Sequence, residues 1–195
     1  MNTGSIVVVS APSGGGKDTL LGIAKEKVPA LSVAVSATTR SPRSGEKEGE
    51  AYYFVSEQDF KDAIDKGDFA EWAKVHGAYY GTFKAEIERL IVQGGTCVLE
   101  LDVQGMRHIK QNYPEAVTIF IVPPNLDVLK QRLIDRGANS EAEITLRLAN
   151  AKEEMAAQTE FDHVVVNDNL DVAADELIGL FLKIAARKQL KHGQF

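Results

Sequence analysis

One cysteine, one tryptophan and six prolines are all that this chain of 195 residues contains of those types. Cys97 sits alone in the apolar run "TCVLELDV". With no second cysteine, an intramolecular disulfide is excluded and a reducing compartment fits best. The four histidines, His76, His108, His163 and His192, are scattered without metal-ligand spacing, so packing or surface roles are expected of them. Positive charge is also in deficit. With 28 acidic against 22 basic residues the net charge is -6, which argues against a nucleic-acid partner because no global field draws in a polyanion. Long apolar runs are missing as well. The opening "MNTGSIVVVSAPSG" has neither a basic n-region nor an apolar stretch long enough for a signal peptide or a membrane span, so the cytoplasm is the expected location.

What remains is a chain with 44% hydrophobic residues, enough for one well-cored domain. Ile6 to Val9 form a β-branched run that stops at a glycine-rich turn, after which "KDTLLGIAKEKV" carries helical apolar spacing. Two further buried-strand patterns, "TCVLELDV" and "AVTIFIV", are separated by "QGMRHIKQNYPE", a helix that ends near Pro114. A fourth, "FDHVVVND", precedes a helical segment from about Leu170 to Lys191. Strands buried on both faces and alternating with helices predict an α/β fold with a parallel sheet. Two stretches break the rhythm. Residues from about Ser36 to Phe83 have short alternating runs suited to an antiparallel insertion, and about Leu126 to Asn150 is polar and arginine-bearing, with Gly137 and Asn139 at an expected hinge. No internal repeat or low-complexity segment interrupts the chain.

The turn itself, "SAPSGGGKDTL", approaches the phosphate-loop pattern G-x-x-x-x-G-K-[ST] but departs from it twice. Ala11 stands at the first glycine and Asp18 at the hydroxyl. In a working loop, Ser13 and Gly14, Gly15 and Gly16 let backbone N–H groups converge on phosphate oxygens, while Lys17 reaches the β- and γ-phosphates. The bland alternative is a glycine-rich turn with a surface lysine. A buried strand before it and a helix after it favour phosphate binding. Asp18 is open to more than one reading: a first-turn carboxylate favoured by the helix dipole, or an oxygen for Mg²⁺, direct or through water. Thr19 is an alternative source of the missing hydroxyl.

"SATTRSPRSGEKEGEAYYFVS", "GDFAEWAKVHGAYYGT" and "LELDVQG", followed by "RLIDRGANSEAEITLRL" and "FDHVVVND", resemble the guanylate kinase family in order and spacing. The resemblance covers nearly the whole chain. It implies a phosphate-loop kinase with a parallel-sheet core flanked by helices (about 1–35, 84–125 and 151–195), a mixed or antiparallel GMP-binding insertion (about 36–83) and a helical lid (about 126–150). It also implies the reaction ATP + GMP giving ADP + GDP, with Mg²⁺ accompanying ATP. The partners are then ATP and GMP, with no nucleic acid or membrane, and a homo-oligomer is compatible with this. Arg40, Arg43, Tyr52 and Tyr80 are implied to hold the GMP phosphate, and Ser36, Glu71 and Thr82 to read guanine. Asp102 would sit between acceptor and metal-phosphate region, Asn167 (with Asp168 beside it) near the adenine of ATP, and Arg132, Arg136 and Arg147 in the lid.

The chemistry of those side chains agrees with that assignment. Guanine presents N1–H and N2–H₂ donors beside O6, so a carboxylate at Glu71 accepts two hydrogen bonds while Ser36 or Thr82 donates. Adenine would face that carboxylate with a lone pair, a mismatch that can reject an analogue by roughly 10⁴-fold or more. Standing alone, "EWAKVHG" would read as a solvated strand charge beside Trp72, and in each of the pairs Tyr52/Tyr53 and Tyr79/Tyr80 one ring suits a core. Arginine forks suit a phosphate dianion, and lid guanidiniums would neutralise charge spread over the transferring group. Asp18 resembles instead the ribose 1,5-bisphosphate phosphokinases, in which an aspartate follows the loop lysine. A non-catalytic guanylate-kinase-like binding module is the further alternative, against which Lys17 and the lid arginines stand.

Overall fold

The computed structural model describes residues 4–75, 77–92, 94–135 and 140–192. His76, Arg136, Gly137, Asn139 and the side chain of His192 lie outside what it describes. In chain order the elements are β1 (Ser5–Ser10), α1 (Lys17–Lys27), β2 (Leu31–Val33), β3 (Ala37–Thr38), β4 (Tyr53–Phe54), α2 (Glu57–Lys66), β5 (Phe69–Val75), β6 (Ala78–Phe83), α3 (Lys84–Ile91), β7 (Thr96–Glu100), α4 (Val103–Asn112), β8 (Val117–Val122), α5 (Leu126–Asp135), α6 (Glu141–Ala156), β9 (His163–Val166) and α7 (Leu170–His192).

The core is a five-stranded sheet in the order β2-β7-β1-β8-β9. Every pairing in it is parallel. Strand β1, in the middle, is buried along its whole length. Its side chains alternate between two helical layers, as the twofold period of a strand requires. Val7 and Val9 join Leu20, Leu21, Leu177 and Phe181 from α1 and α7, while Ile6 and Val8 join Ile87, Leu99, Met106 and Ile109 on the other side. Double-sided burial explains why the core strands read as unbroken apolar runs. Strand β2 carried no such run and lies at the sheet edge.

The insertion is a second sheet in the order β4-β3-β6-β5. It is mixed: β3 runs parallel to β4 and antiparallel to β6, and β5 and β6 form an antiparallel pair. The sequence reading gave it strands only, whereas the structure adds α2, started by Ser56 accepting from the Asp59 N–H and stopped by Gly67 at φ 72°. Its Phe60 packs on Phe69 at 4.3 Å and on Tyr79 at 5.3 Å, so the insertion has an aromatic core of its own. Ala70 of β5 reaches into the main core, and Asn112 Nδ2 of α4 donates to its carbonyl at 3.0 Å. That contact docks the insertion against α4.

Candidate active site

The segment between β1 and α1 closes as a tight loop, with Gly15 N–H donating to Pro12 O at 2.8 Å. Gly14 and Gly16 have φ of 88° and 93°, the left-handed region that glycine occupies without penalty. Space is denied as well as conformation. A Cβ on Gly16 would stand 2.1 Å from Asn167 Nδ2, and one on Gly14 would press on Leu129 and Leu133 of α5 at 3.0 and 3.1 Å. Asn167 is buried and donates from Nδ2 to Gly15 O at 2.9 Å. The side chain expected beside adenine is thus engaged with the loop backbone. Ser13 and Thr19 are exposed at the loop and at the first turn of α1.

Lys17, first residue of α1, turns its ammonium toward two carboxylates. It donates to Asp18 Oδ1 at 2.8 Å and to Glu100 Oε2 at the end of β7. Burial alone would lower the Lys17 pKa, but Glu100 first and Asp18 second outweigh it and leave it raised. Asp18 is otherwise solvated. The two carboxylates provide hard oxygens at one end of the cleft, the donor type Mg²⁺ takes. Among the described residues no group of three or more His, Cys, Asp or Glu could hold a metal, so phosphate and water oxygens would have to complete any shell.

A cleft of about 850 Å³ runs from this lysine across to the insertion, lined by Lys17, Ser36, Tyr52, Glu71, Tyr80 and Asp102 among others. At its far end Ser36 Oγ lies 3.1 Å from Thr82 Oγ1, which donates to Glu71 Oε1 at 2.8 Å. The register of β5 against β6 shifts between Phe69 and Glu71, so Phe69 enters the aromatic core while Glu71 lines the cleft. Glu71 is only 7% exposed, whereas its neighbour Trp72 is 40% exposed, the reverse of an ordinary solvated strand charge. Burial pushes its carboxyl up to about 7, partly offset by the Thr82 hydroxyl. Asp102 caps α4 by accepting from Gly105 N–H at 2.8 Å.

Between these ends, Arg40 forms a fork with Glu46, both bonds at 2.9 Å. Glu46 also accepts from the Arg43 N–H at 2.7 Å. Its carboxyl is held at about 2, mainly by Arg40. The Arg40 guanidinium lies 5.3 Å from the Tyr52 ring centre, and Tyr52 meets Tyr80 edge-on at 5.9 Å. Burial raises the Tyr52 hydroxyl pKa. Tyr53 and Tyr79 instead pack in the insertion core. The Arg43 side chain is exposed.

The arginine-bearing segment folds as α5 and α6, packed through Leu129, Leu133 and Ala151. A capping box of Ser140 and Glu143 starts α6. Arg132 Nη2 donates to Asn167 O at 2.8 Å, while its Nη1 is buried without a hydrogen-bond partner. Arg147 is exposed on α6, and Arg136 lies outside the described residues.

The sequence reading names neither Glu46 nor Glu100 as a site residue. Glu46 follows Arg40 by six residues inside a quoted motif, a local signal that was available. The pairing of Lys17 with Glu100 spans the β1–β7 ladder, where Val9 lies opposite Glu100. It could be read only from the strand order.

Among the described residues, no helix is long and apolar enough to cross a membrane. A family model described as guanylate kinase matches residues 3–183. The chain is 46% identical over 177 residues to a guanylate kinase of Synechocystis sp., covering 91% of this chain and 93% of that one. To a guanylate kinase of Helicobacter pylori it is 41% identical over 179 residues, covering 92% and 87%. The crystal structure of guanylate kinase from Anaplasma phagocytophilum superposes with a TM-score of 0.72 at 31% identity, covering 92% of this chain and 85% of that one. Matched over residues 3–183 and more than 40% identical to these relatives across about nine-tenths of its length, the chain belongs to the guanylate kinase family.

Proposed function

We propose that the cleft transfers the γ-phosphoryl group of ATP to GMP, giving ADP and GDP. The observation that carries this reading is the Ser36–Thr82–Glu71 chain of hydroxyls and carboxylate, with Thr82 and Glu71 buried and both Ser36 and Glu71 lining the same cleft as the loop lysine. Glu71, once ionised, accepts from guanine N1–H and N2–H₂, and a hydroxyl donates to O6. Arg40, oriented by Glu46, grips the GMP phosphate with Arg43, Tyr52 and Tyr80. Phosphoryl transfer requires position and charge compensation more than covalent help. Lys17, with the backbone N–H groups of Gly14 to Thr19, orients the ATP phosphates. Arg132 and Arg147, with Arg136, neutralise the transferring group as the lid of about residues 126–150 closes over the core and excludes water. Asp102 orients the acceptor side from the start of α4.

The donor set fits Mg²⁺. Asp18 and Glu100 supply one carboxylate each, and the ion when bound would neutralise phosphate charge as a Lewis acid. Before that, both carboxylates are occupied by Lys17. A coupled assay of ADP formation, with GMP, AMP and ribose 1,5-bisphosphate offered in parallel, tests the reading. Turnover of GMP alone is expected. Turnover of the sugar phosphate alone would make Asp18 the better guide to the acceptor, and GMP binding without turnover would make the chain a binding module.

A further inference from the structure

Two stretches of chain join the insertion to the core. One is residues 34–36, between the end of β2 at Val33 and the start of β3 at Ala37, and the other is the junction of β6 with α3 at Phe83 and Lys84. Glu86, in the first turn of α3, reaches from the second to the first: its Oε1 accepts from the Val35 N–H at 3.3 Å. Arg89, on the same face of the helix, fixes that carboxylate with a fork, donating from Nε to Oε2 at 3.0 Å and from Nη2 to Oε1 at 2.9 Å. Glu86 is only 6% exposed, while the Arg89 side chain is 64% exposed. The helix dipole and the arginine would both be served by a carboxylate left in water, without the desolvation cost of burial. Helix stability therefore does not account for where this side chain lies. What its buried position provides is reach to the Val35 N–H, and a charged acceptor holds an N–H more firmly than a neutral one.

Val35 immediately precedes Ser36, and both line the cleft. The joint is fixed at each successive residue. Ala34 N–H donates to Val98 O of β7 at 2.9 Å, Val35 N–H donates to Glu86, and Ser36 O accepts from Tyr53 N–H at 2.9 Å. The outer two are neutral backbone bonds, one to the core sheet and one to the insertion, and Glu86 supplies the charged one between them. Thr82, whose hydroxyl lies 3.1 Å from Ser36 Oγ, belongs to the other crossing, near the end of β6. Glu86 thus ties together the two segments that carry the two hydroxyls.

We propose that Glu86 is a positioning residue for guanine recognition: locked by Arg89, it holds the Val35 N–H and so sets where the Ser36 hydroxyl stands against Thr82 and the edge of the base. This rests on the reading of these hydroxyls as the groups that face guanine O6. It goes beyond that reading by assigning their spacing to a residue that touches neither substrate.

The test compares binding of GMP, inosine monophosphate and 6-thioguanosine monophosphate by calorimetry in the unsubstituted chain, Glu86→Met and Glu86→Gln. Inosine monophosphate keeps O6 and lacks the N2 amine that faces Glu71, whereas the thio analogue keeps the amine and puts sulfur, a weaker acceptor, in place of O6. The unsubstituted chain should prefer GMP to the thio analogue by roughly five-fold. Glu86→Met fills the same space without a strong acceptor. It should weaken GMP and inosine monophosphate alike, by roughly five-fold, and the thio analogue by less than about two-fold, so that the preference for O6 falls toward one. Glu86→Gln keeps an acceptor for Val35 and should retain most of the preference. Equal losses for all three nucleotides in Glu86→Met, or no loss, would overturn the proposal, the first by pointing to a role in general stability. So would a preference lost as fully in Glu86→Gln as in Glu86→Met, because the acceptor would then not be what matters. If Glu86→Met does not fold, Arg89→Ala, at an exposed side chain, carries the comparison by releasing the carboxylate from its fork, and an undiminished preference for O6 would overturn the proposal. An unsubstituted chain that binds GMP and the thio analogue equally would overturn the reading of the hydroxyls and this inference with it. A preference for O6 that ignores residue 86 would overturn this inference alone.

Discussion

The Thr82 hydroxyl donates to Glu71 Oε1 at 2.8 Å, from a strand directly paired with the one that carries Glu71. That bond offsets part of the cost of burying the carboxylate, but burial still raises its pKa to about 7. Because the folded value lies above the ordinary one, folding takes up a proton. The resulting stability is fully present below the ordinary carboxylate pKa and is lost as pH rises through about 7.

Glu71→Gln should therefore raise the melting temperature of the nucleotide-free chain above neutral pH, by up to about 3 kcal/mol of stability, and change it little near pH 5. Thermal unfolding at the two pH values checks this. A variant less stable than the parent at both would contradict the burial argument.

GMP binding should follow the opposite course. Its N1–H and N2–H₂ donors require the ionised carboxylate, so affinity is expected to fall toward ten-fold per unit as pH drops below about 7. The GMP phosphate titrates as well, so the comparison is with Glu71→Gln, which loses the Glu71 part of that slope and binds GMP about ten-fold or more weakly at high pH. Calorimetric titrations between about pH 5.5 and about pH 8.5 measure both.

Gly105→Ala isolates the position of Glu71 from its charge. A Cβ there would stand 3.3 Å from Glu71 Oε2 and 3.1 Å from Leu101 Cβ, closer than comfortable contact. Helix propensity gains up to about 1 kcal/mol from the change, so the melting temperature should move little. KM for GMP should rise several-fold, while KM for ATP holds. Equal effects on both substrates would show that the displaced group is not part of the GMP side.

Asp18→Ser replaces the carboxylate that shares Lys17 with Glu100. The expected result is a changed dependence of the rate on free Mg²⁺, together with tighter binding of metal-free ATP because one negative charge beside the triphosphate is gone. ADP formation across a Mg²⁺ titration, and ATP binding in chelator, read the two effects. An unaltered Mg²⁺ dependence would remove Asp18 from metal chemistry.

Glu46→Ala leaves Arg40 charged but without its fork partner. Arg40 should then sample several positions beside Tyr52, raising KM for GMP by several-fold with a smaller change in kcat. The two bonds at 2.9 Å give the present orientation. Steady-state kinetics with GMP varied would separate this from a general loss of activity, which would appear in KM for ATP as well.

Chain-local pattern was enough for much of the fold. Apolar runs bounded by turn residues marked β1, β7 and β8, since a strand buried on both faces needs apolar side chains at every position; β9 was marked by the same kind of run, yet it lies at the sheet edge with Val164 and Val166 exposed, so it is not the doubly buried strand that its sequence suggests. The glycines before Lys17 and the motifs shared with the guanylate kinases are contiguous, so they were legible without coordinates. Helix α2 and edge strand β2 were not read, because their burial comes from a single face or a neighbour.

Which groups meet is a different matter. Glu71 becomes a buried, proton-binding carboxylate only because a register shift in β5 turns it from the aromatic core into the cleft, over Gly105 and beside Thr82. Tyr52 and Tyr53 are indistinguishable in composition, and strand placement alone sends one ring to the cleft and the other to the insertion core. Lys17 with Glu100 and Asn167 with Gly15 join positions 83 and 152 residues apart. The sequence by itself determined the alternation of strands and helices and the loop, because those follow from local periodicity and backbone freedom. The tertiary structure decided the partners of each charge, because desolvation and hydrogen bonding depend on neighbours that only the order of the strands brings together.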